Sequence, residues 1–79
     1  MDTEGRIRKI LAENTKGPVS ISNEESLFKS GLLDSFALAD LVGGLEEEFA
    51  ITVPDLDLIP QRFDSIAKIE QYIASRLAG

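Results

Sequence analysis

Three stretches of this chain repeat their apolar positions at helical spacing, and two connections dotted with large apolar residues join them. Over residues 2–14, Ile7, Ile10 and Leu11, with Asn14 one turn on, fall at i, i+3, i+4 and i+7. Arg6, Arg8, Lys9 and Glu13 fill the other sides of this first predicted helix. Asp2 or Thr3 stands where a cap is needed. Thr15-Lys16-Gly17-Pro18 ends the helix, because glycine permits a left-handed turn and proline cannot continue a helix. The second helix spans about Ser35 to Glu48 or Phe49 and carries the stripe Leu38, Leu41, Val42, Leu45 and Phe49. Inside it, Gly43-Gly44 costs about 1 kcal/mol per glycine relative to alanine. Either another surface approaches closely there or the helix tolerates a weak spot. The last helix runs from about Ser65 to Leu77 with the stripe Ile66, Ile69, Ile73 and Leu77, flanked by Tyr72. Asp64 or Ser65 is its cap, and Phe63 is placed as a hydrophobic staple.

The connections are not ordinary solvated loops. Residues 18–34 hold Val19, Ile21, Leu27, Phe28, Leu32 and Leu33. That many large apolar groups must pack down on the helices, so the connection is expected to be ordered, with turns near 22–26 and at Lys29-Ser30-Gly31. After Phe49, Ala50 to Pro54 reads as an extended link that plugs Ile51 and Val53 into the core. Asp55 to Ile59 reads as a short helix ended by Pro60. The expected fold is all-α: one small domain over 1–79, a bundle of three main helices plus one short helix, with a long ordered first loop.

Charge narrows the partners. The net charge is −6, from 14 acidic and 8 basic residues. No Lys or Arg lies between Lys29 and Arg62, whereas Asp34, Asp40, Glu46, Glu47, Glu48, Asp55 and Asp57 do. An acidic middle argues against nucleic acid, which needs a basic stripe, and for partners with basic patches. No apolar run approaches the roughly 20 residues of a membrane span, and the N-terminus lacks a signal-peptide pattern, so a cytoplasmic monomer is expected. The chain has no cysteine or histidine, which removes thiol chemistry, the usual general base and the commonest zinc ligands. Asp55-x-Asp57 lacks the rest of a calcium loop, so no metal site is expected.

Ser35 is the residue on which function turns. Locally it reads as a helix cap worth about 1 kcal/mol. A serine nucleophile needs an activating base, and no histidine is available, so the chain is not expected to be an enzyme. Covalent chemistry at Ser35 would have to be supplied by another enzyme.

Leu33-Asp34-Ser35-Phe36 resembles the attachment motif of acyl and peptidyl carrier proteins. Ser26-Leu27-Phe28-x-x-Gly31-Leu32-Leu33-Asp34-Ser35 is similar to carriers that load amino acids. Leu45-Glu46-Glu47-Glu48-Phe49 followed by Ile51-x-Val53-Pro54-Asp55 resembles fatty-acid-type carriers. The likeness runs over about residues 4 to 77. It implies a stand-alone carrier with 4′-phosphopantetheine on Ser35, moved from coenzyme A by a phosphopantetheinyl transferase. An acyl or aminoacyl cargo would then ride as a thioester. Asp34 would orient the transferase. Phe36, Ala39, Asp40, Gly43, Glu46 and Glu47 would meet partners: an adenylating ligase and a downstream acyltransferase or synthase. A larger apolar residue often stands at the Gly43 position of related carriers, and an aliphatic one at Phe36. An acyl pocket would be lined by Leu38, Leu45, Leu58, Phe63, Ile66 and Ile69. These are bulky, which favours a short acyl or aminoacyl cargo. The alternatives are a specialised acyl carrier of fatty-acid, polyketide or lipid synthesis, and an acidic helical interaction module with no prosthetic group.

Overall fold

The computed structural model of the chain describes residues 3–14 and 21–78. Among them are three α-helices, α1 (Thr3–Asn14), α2 (Ser35–Phe49) and α3 (Ile66–Ala78), with two 3-10 turns at Asp55–Asp57 and Pro60–Arg62. The described residues contain no strand. Asp2 as a cap, the Thr15–Pro18 stop and Val19 lie outside the described residues.

The apolar stripes form one core. Ile7, Ile10 and Leu11 of α1 meet Leu38, Leu41, Val42, Leu45 and Phe49 of α2 and Ile66, Ile69, Tyr72 and Ile73 of α3. Phe63 is fully buried and stands edge-on to Tyr72, ring centroids 5.2 Å apart. Ile21, Leu27 and Leu33 of the first connection are buried in the same cluster, with Phe28, Leu32, Ile51 and Val53 packed against it. Residues 21–34 of the first connection therefore pack down on the helices, as their apolar content predicts. Each fully buried leucine or isoleucine contributes about 1.5–3 kcal/mol, which outweighs any one surface ion pair at about 0–1 kcal/mol.

The α1–α2 crossing explains half of the glycine pair. A Cβ on Gly44 would stand 2.9 Å from Ile10 Cγ2, so the helices touch there as closely as a missing side chain allows. A Cβ on Gly43 would meet nothing within 4 Å. Arg6 bolts the same crossing near the end of α2: Nε donates to Glu48 Oε2 at 2.6 Å, Nη2 donates to the Glu48 carbonyl at 2.8 Å, and the guanidinium lies 4.3 Å from the Phe49 ring centroid. Ala50 ends α2 in the left-handed conformation, φ 53°, and the N–H groups of Ala50 and Ile51 both donate to the Glu46 carbonyl.

Two expectations are corrected. The short helix over 55–59 is a single 3-10 turn at Asp55–Asp57, because Pro60 holds the residue before it, Ile59, out of the helical conformation, and a second 3-10 turn follows at Pro60–Arg62. Asp57 and Leu58 donate to the carbonyls three residues back, at 2.9 and 3.1 Å. Pro60 starts the second turn rather than merely ending the first, and Ile59 ahead of it is extended (φ −125°, ψ 145°). Second, Leu77 is 58% exposed, because the last turn of α3 runs beyond the core that closes at Ile73. The start of α3 agrees with expectation to within a residue: the helix begins at Ile66, and of the two cap candidates Ser65 is the one that caps, Oγ accepting the Lys68 N–H at 3.1 Å. Asp64 is turned to a different use, described below.

Candidate functional site

The site is the entry to α2 and the outward face behind it. Asp34 is extended (φ −138°, ψ −173°) and caps the helix: Oδ1 accepts the Ala37 N–H at 2.8 Å, and its carbonyl accepts the Leu38 N–H at 2.8 Å. Ser35 is thereby released from capping. It occupies the first helical position, exposed, and its hydroxyl makes no hydrogen bond among the described residues. The N–H groups of Ser35 and Phe36 also open the helix, where its dipole favours an anion. Phe36, next along, is 85% exposed.

The loop ahead of Asp34 is held at two places. On one side, Arg8 Nη2 donates to the Ile21 carbonyl (2.7 Å) and to Asn23 Oδ1 (2.8 Å), Arg8 Nε pairs with Glu4 at 2.9 Å, and Asn23 Nδ2 donates to Glu4 at 3.1 Å. On the other, Asp64 Oδ1 accepts Ser26 Oγ–H at 2.7 Å and the Phe28 N–H at 3.3 Å. The Ser26 hydrogen bond, with help from the Phe28 N–H and the Lys68 and Lys29 charges, holds the Asp64 carboxyl below its usual value of 3.8 against an opposing burial effect. Gly31, φ 86°, makes the turn between Phe28 and Leu32 that a side chain would strain.

The predicted partner face divides. Phe36, Ala39, Asp40, Gly43 and Glu47 are all exposed. Asp40 and Glu47 have no hydrogen bond or ion pair among the described residues. Glu46 is half-buried, and its Oε2 accepts the Val53 N–H at 2.8 Å and holds the extended link against α2. Glu48 is engaged by Arg6. Of the acidic triplet, Glu47 alone has no partner among the described residues.

Five of the predicted pocket residues, Leu38, Leu45, Phe63, Ile66 and Ile69, are buried in the core, so the structure does bring them together. Leu58 is not with them; it is 37% exposed, left at the surface where the first 3-10 turn ends. Asp57 is a structural group: its Oδ2 accepts the Tyr72 hydroxyl at 2.8 Å, and Arg62 Nε stands 3.7 Å from its Oδ1. Burial, then the Asp57 hydrogen bond and charge, push the Tyr72 hydroxyl above its ordinary value of 10.0. A surface cleft of about 300 Å³, lined by Gln61, Arg62, Lys68, Gln71, Tyr72 and Ser75, lies against α3 and shares no residue with the predicted pocket.

Sequence reasoning missed Arg6, Arg8 and Asp64, whose partners lie far away in the chain. It also passed over Leu56, 88% exposed on the first 3-10 turn, because a lone leucine between two aspartates carries no periodicity.

Comparison with known proteins bears on this geometry. The family described as the phosphopantetheine attachment site matches residues 5–73. An aminoacyl carrier protein of Agrobacterium fabrum is 40% identical over 76 residues, 92% of this chain and 90% of the relative. A D-alanyl carrier protein of Lactobacillus acidophilus is 32% identical over 74 residues, 89% of this chain and 94% of the relative. A D-alanyl carrier protein of Streptococcus mutans is 41% identical over 54 residues, 68% of each chain. No described helix is long and apolar enough to cross a membrane.

Proposed function

The chain belongs to the phosphopantetheine attachment family, and is a carrier with 4′-phosphopantetheine as its prosthetic group; from that premise we propose that Ser35 is its attachment residue and that its cargo is an amino acid or a short acid. One observation supports the assignment above the rest: Asp34 performs the capping, so the adjacent Ser35 hydroxyl is exposed and unengaged. The residues present fit the group. Ser35 supplies a free oxygen for a phosphodiester, and the opening of α2 favours the phosphodiester's negative charge. When attached, the group supplies a thiol on a flexible arm, on which cargo rides as a thioester.

The chain's own part is to hold and to present. The capped start of α2 fixes the direction of Ser35, and the buried stripe beneath fixes α2 itself. Asp34 retains one unengaged carboxylate oxygen beside Ser35, suited to orienting a transferase that brings coenzyme A. Phe36, Ala39, Asp40, Gly43 and Glu47 offer partners an apolar contact, a gap and two free carboxylates. Those partners are the transferase, an adenylating ligase and a downstream acyltransferase with basic surfaces. Among the described residues no group activates Ser35, and in this reading the protein is a substrate of these enzymes and not an enzyme itself. It works where coenzyme A is available, in the cytoplasm. The cargo class is supported by the names of the relatives, D-alanyl and aminoacyl carriers, and by a core of bulky side chains.

Intact-mass measurement after incubation with coenzyme A and a broad-range phosphopantetheinyl transferase tests the assignment. One phosphopantetheine per chain, absent in Ser35→Ala, is expected. No gain, or a gain that persists in Ser35→Ala, overturns it. For the cargo, a structure of the protein bearing a long acyl chain is decisive: burial of that chain inside the bundle sinks the short-cargo reading.

A further inference from the structure

We propose that Asp64, at the foot of α3, is a positioning residue for Ser35, acting through the loop that delivers Asp34. The inference rests on the reading of Ser35 as the attachment residue. Its basis is a chain of hydrogen bonds. Residues 26–33 contain no helix, so their place depends on a few contacts. The loop closes on itself: the Ser30 N–H donates to the Ser26 carbonyl (3.1 Å), Gly31 to Phe28 (3.2 Å) and Leu33 to Leu27 (3.1 Å). Asp64 then ties this closed unit to α3 with three bonds from one residue. Its carbonyl accepts the Leu27 N–H at 2.6 Å, and its Oδ1 accepts Ser26 Oγ–H and the Phe28 N–H. Ser26 passes the constraint on, since its Oγ also accepts the Lys29 N–H at 3.1 Å. Leu33, at the far end of the closed unit, directly precedes the Asp34 cap.

Two features separate this role from general stability. The cap of α3 is Ser65, so the Asp64 carboxylate is not needed to start that helix. Leu27 and Leu33 are buried and the Leu27-to-Asp64 backbone bond survives any substitution, so the fold persists when the carboxylate is removed. What loosens is the turn that aims Asp34 and Ser35. The outward face of α2, which a partner grips, is untouched.

The test compares Asp64→Ala, which removes the acceptor, with Asp64→Asn, which keeps an Oδ1 acceptor without the charge. The full-length apo protein is used, with coenzyme A and a broad-range phosphopantetheinyl transferase. In Asp64→Ala, amide exchange at Gly31 and Leu33 rises about tenfold while Leu41 and Leu45 keep their protection. The transferase kcat falls about five- to tenfold with KM within about twofold, because small misplacements of a reacting group are felt in rate. Asp64→Asn restores both to within about twofold of the parent, since the acceptor geometry is kept. Ser26→Ala, which removes one of the two side-chain bonds, moves kcat the same way by a smaller factor, and decides the matter if Asp64→Ala does not fold. Parent-like kcat and exchange in a folded Asp64→Ala overturn the proposal, as do an Asp64→Asn no better than alanine or a Ser26→Ala identical to the parent. Failure of the parent to gain mass refutes the Ser35 assignment instead, while the exchange comparison still reads whether Asp64 holds the loop.

Discussion

Adjacent glycines in one helix should respond to the same substitution with opposite signs. Alanine at Gly43 meets nothing within 4 Å, so only the helix-propensity gain of about 1 kcal/mol remains. Alanine at Gly44 makes the same gain but places Cβ 2.9 Å from Ile10 Cγ2. Ile10 cannot swing that methyl aside cheaply, because a β-branched side chain in a helix is held to one rotamer and Ile10 is buried. Overpacking of this kind costs about 1–3 kcal/mol, so Gly44→Ala ends between about neutral and 2 kcal/mol destabilised. In a domain of this size about 1 kcal/mol moves the melting temperature by about 4–8 °C. Gly43→Ala should melt about 4–8 °C above the parent, and Gly44→Ala at or below it. Thermal melts and urea titrations of both variants measure the difference. Ile10→Leu moves the branch off Cβ and removes Cγ2, so Gly44→Ala should be better tolerated in that background, with a coupling of about 1 kcal/mol. A Gly44→Ala protein as stabilised as Gly43→Ala would falsify the close-approach account of the helix crossing.

Four further outcomes are expected. Glu46→Ala should cost about 1 kcal/mol in urea unfolding through loss of the Val53 hydrogen bond, whereas Glu47→Ala should stay within about 0.5 kcal/mol of the parent; equal losses would refute the division of the acidic triplet. Ala50→Gly should stabilise by about 1 kcal/mol, because alanine at φ 53° carries a left-handed penalty that glycine lacks; unchanged unfolding would count against strain there. Asp34→Ala should cost about 1 kcal/mol as a lost cap while Ser35→Ala leaves the melting curve in place, and the reverse order would reassign the cap. Stability should also fall at both pH extremes. The folded Asp64 carboxyl lies below 3.8, so its contribution is complete above that value and lost as pH drops through the folded pKa. Tyr72 lies above 10.0 when folded, so its contribution is complete below 10.0 and lost as pH climbs through the folded pKa. Urea midpoints across pH should show Asp64→Asn flattening the acid limb and Tyr72→Phe the alkaline one.

The stripes of α1 and α2 and the plugging residues of the first loop could be read from the chain because they are carried by spacing. A leucine at Leu27 or Leu33 in a polar loop has few places to go but inward. Leu77 fits its stripe equally well, yet periodicity does not say where the neighbouring helix stops, and it ends outside. The 55–59 segment reads as a helix but makes only one 3-10 turn, because Pro60 keeps Ile59 extended and the turn cannot propagate. Position within the site was less legible. Three consecutive glutamates look alike in sequence, but Glu46 turns to a backbone N–H seven residues on and Glu48 to an arginine 42 residues back. Asp64 and Ser65 were equal candidates for one cap. Their roles separate only when the loop 36 to 38 residues upstream is brought beside them.

Because Asp34 holds the start of α2, the fold does not depend on the Ser35 hydroxyl. With the proposed arm on Ser35, the bare and primed proteins differ by the phosphodiester at the helix opening, worth about 0.3–1 kcal/mol. The idle and laden primed forms share that contact and unfold with nearly the same free energy, so turnover driven by the unfolded state removes those two at one rate. Housekeeping machinery that senses stability cannot tell an idle carrier from a laden one. The distinction must be made by enzymes that read the arm, and the pool of idle and laden molecules is set by their rates alone.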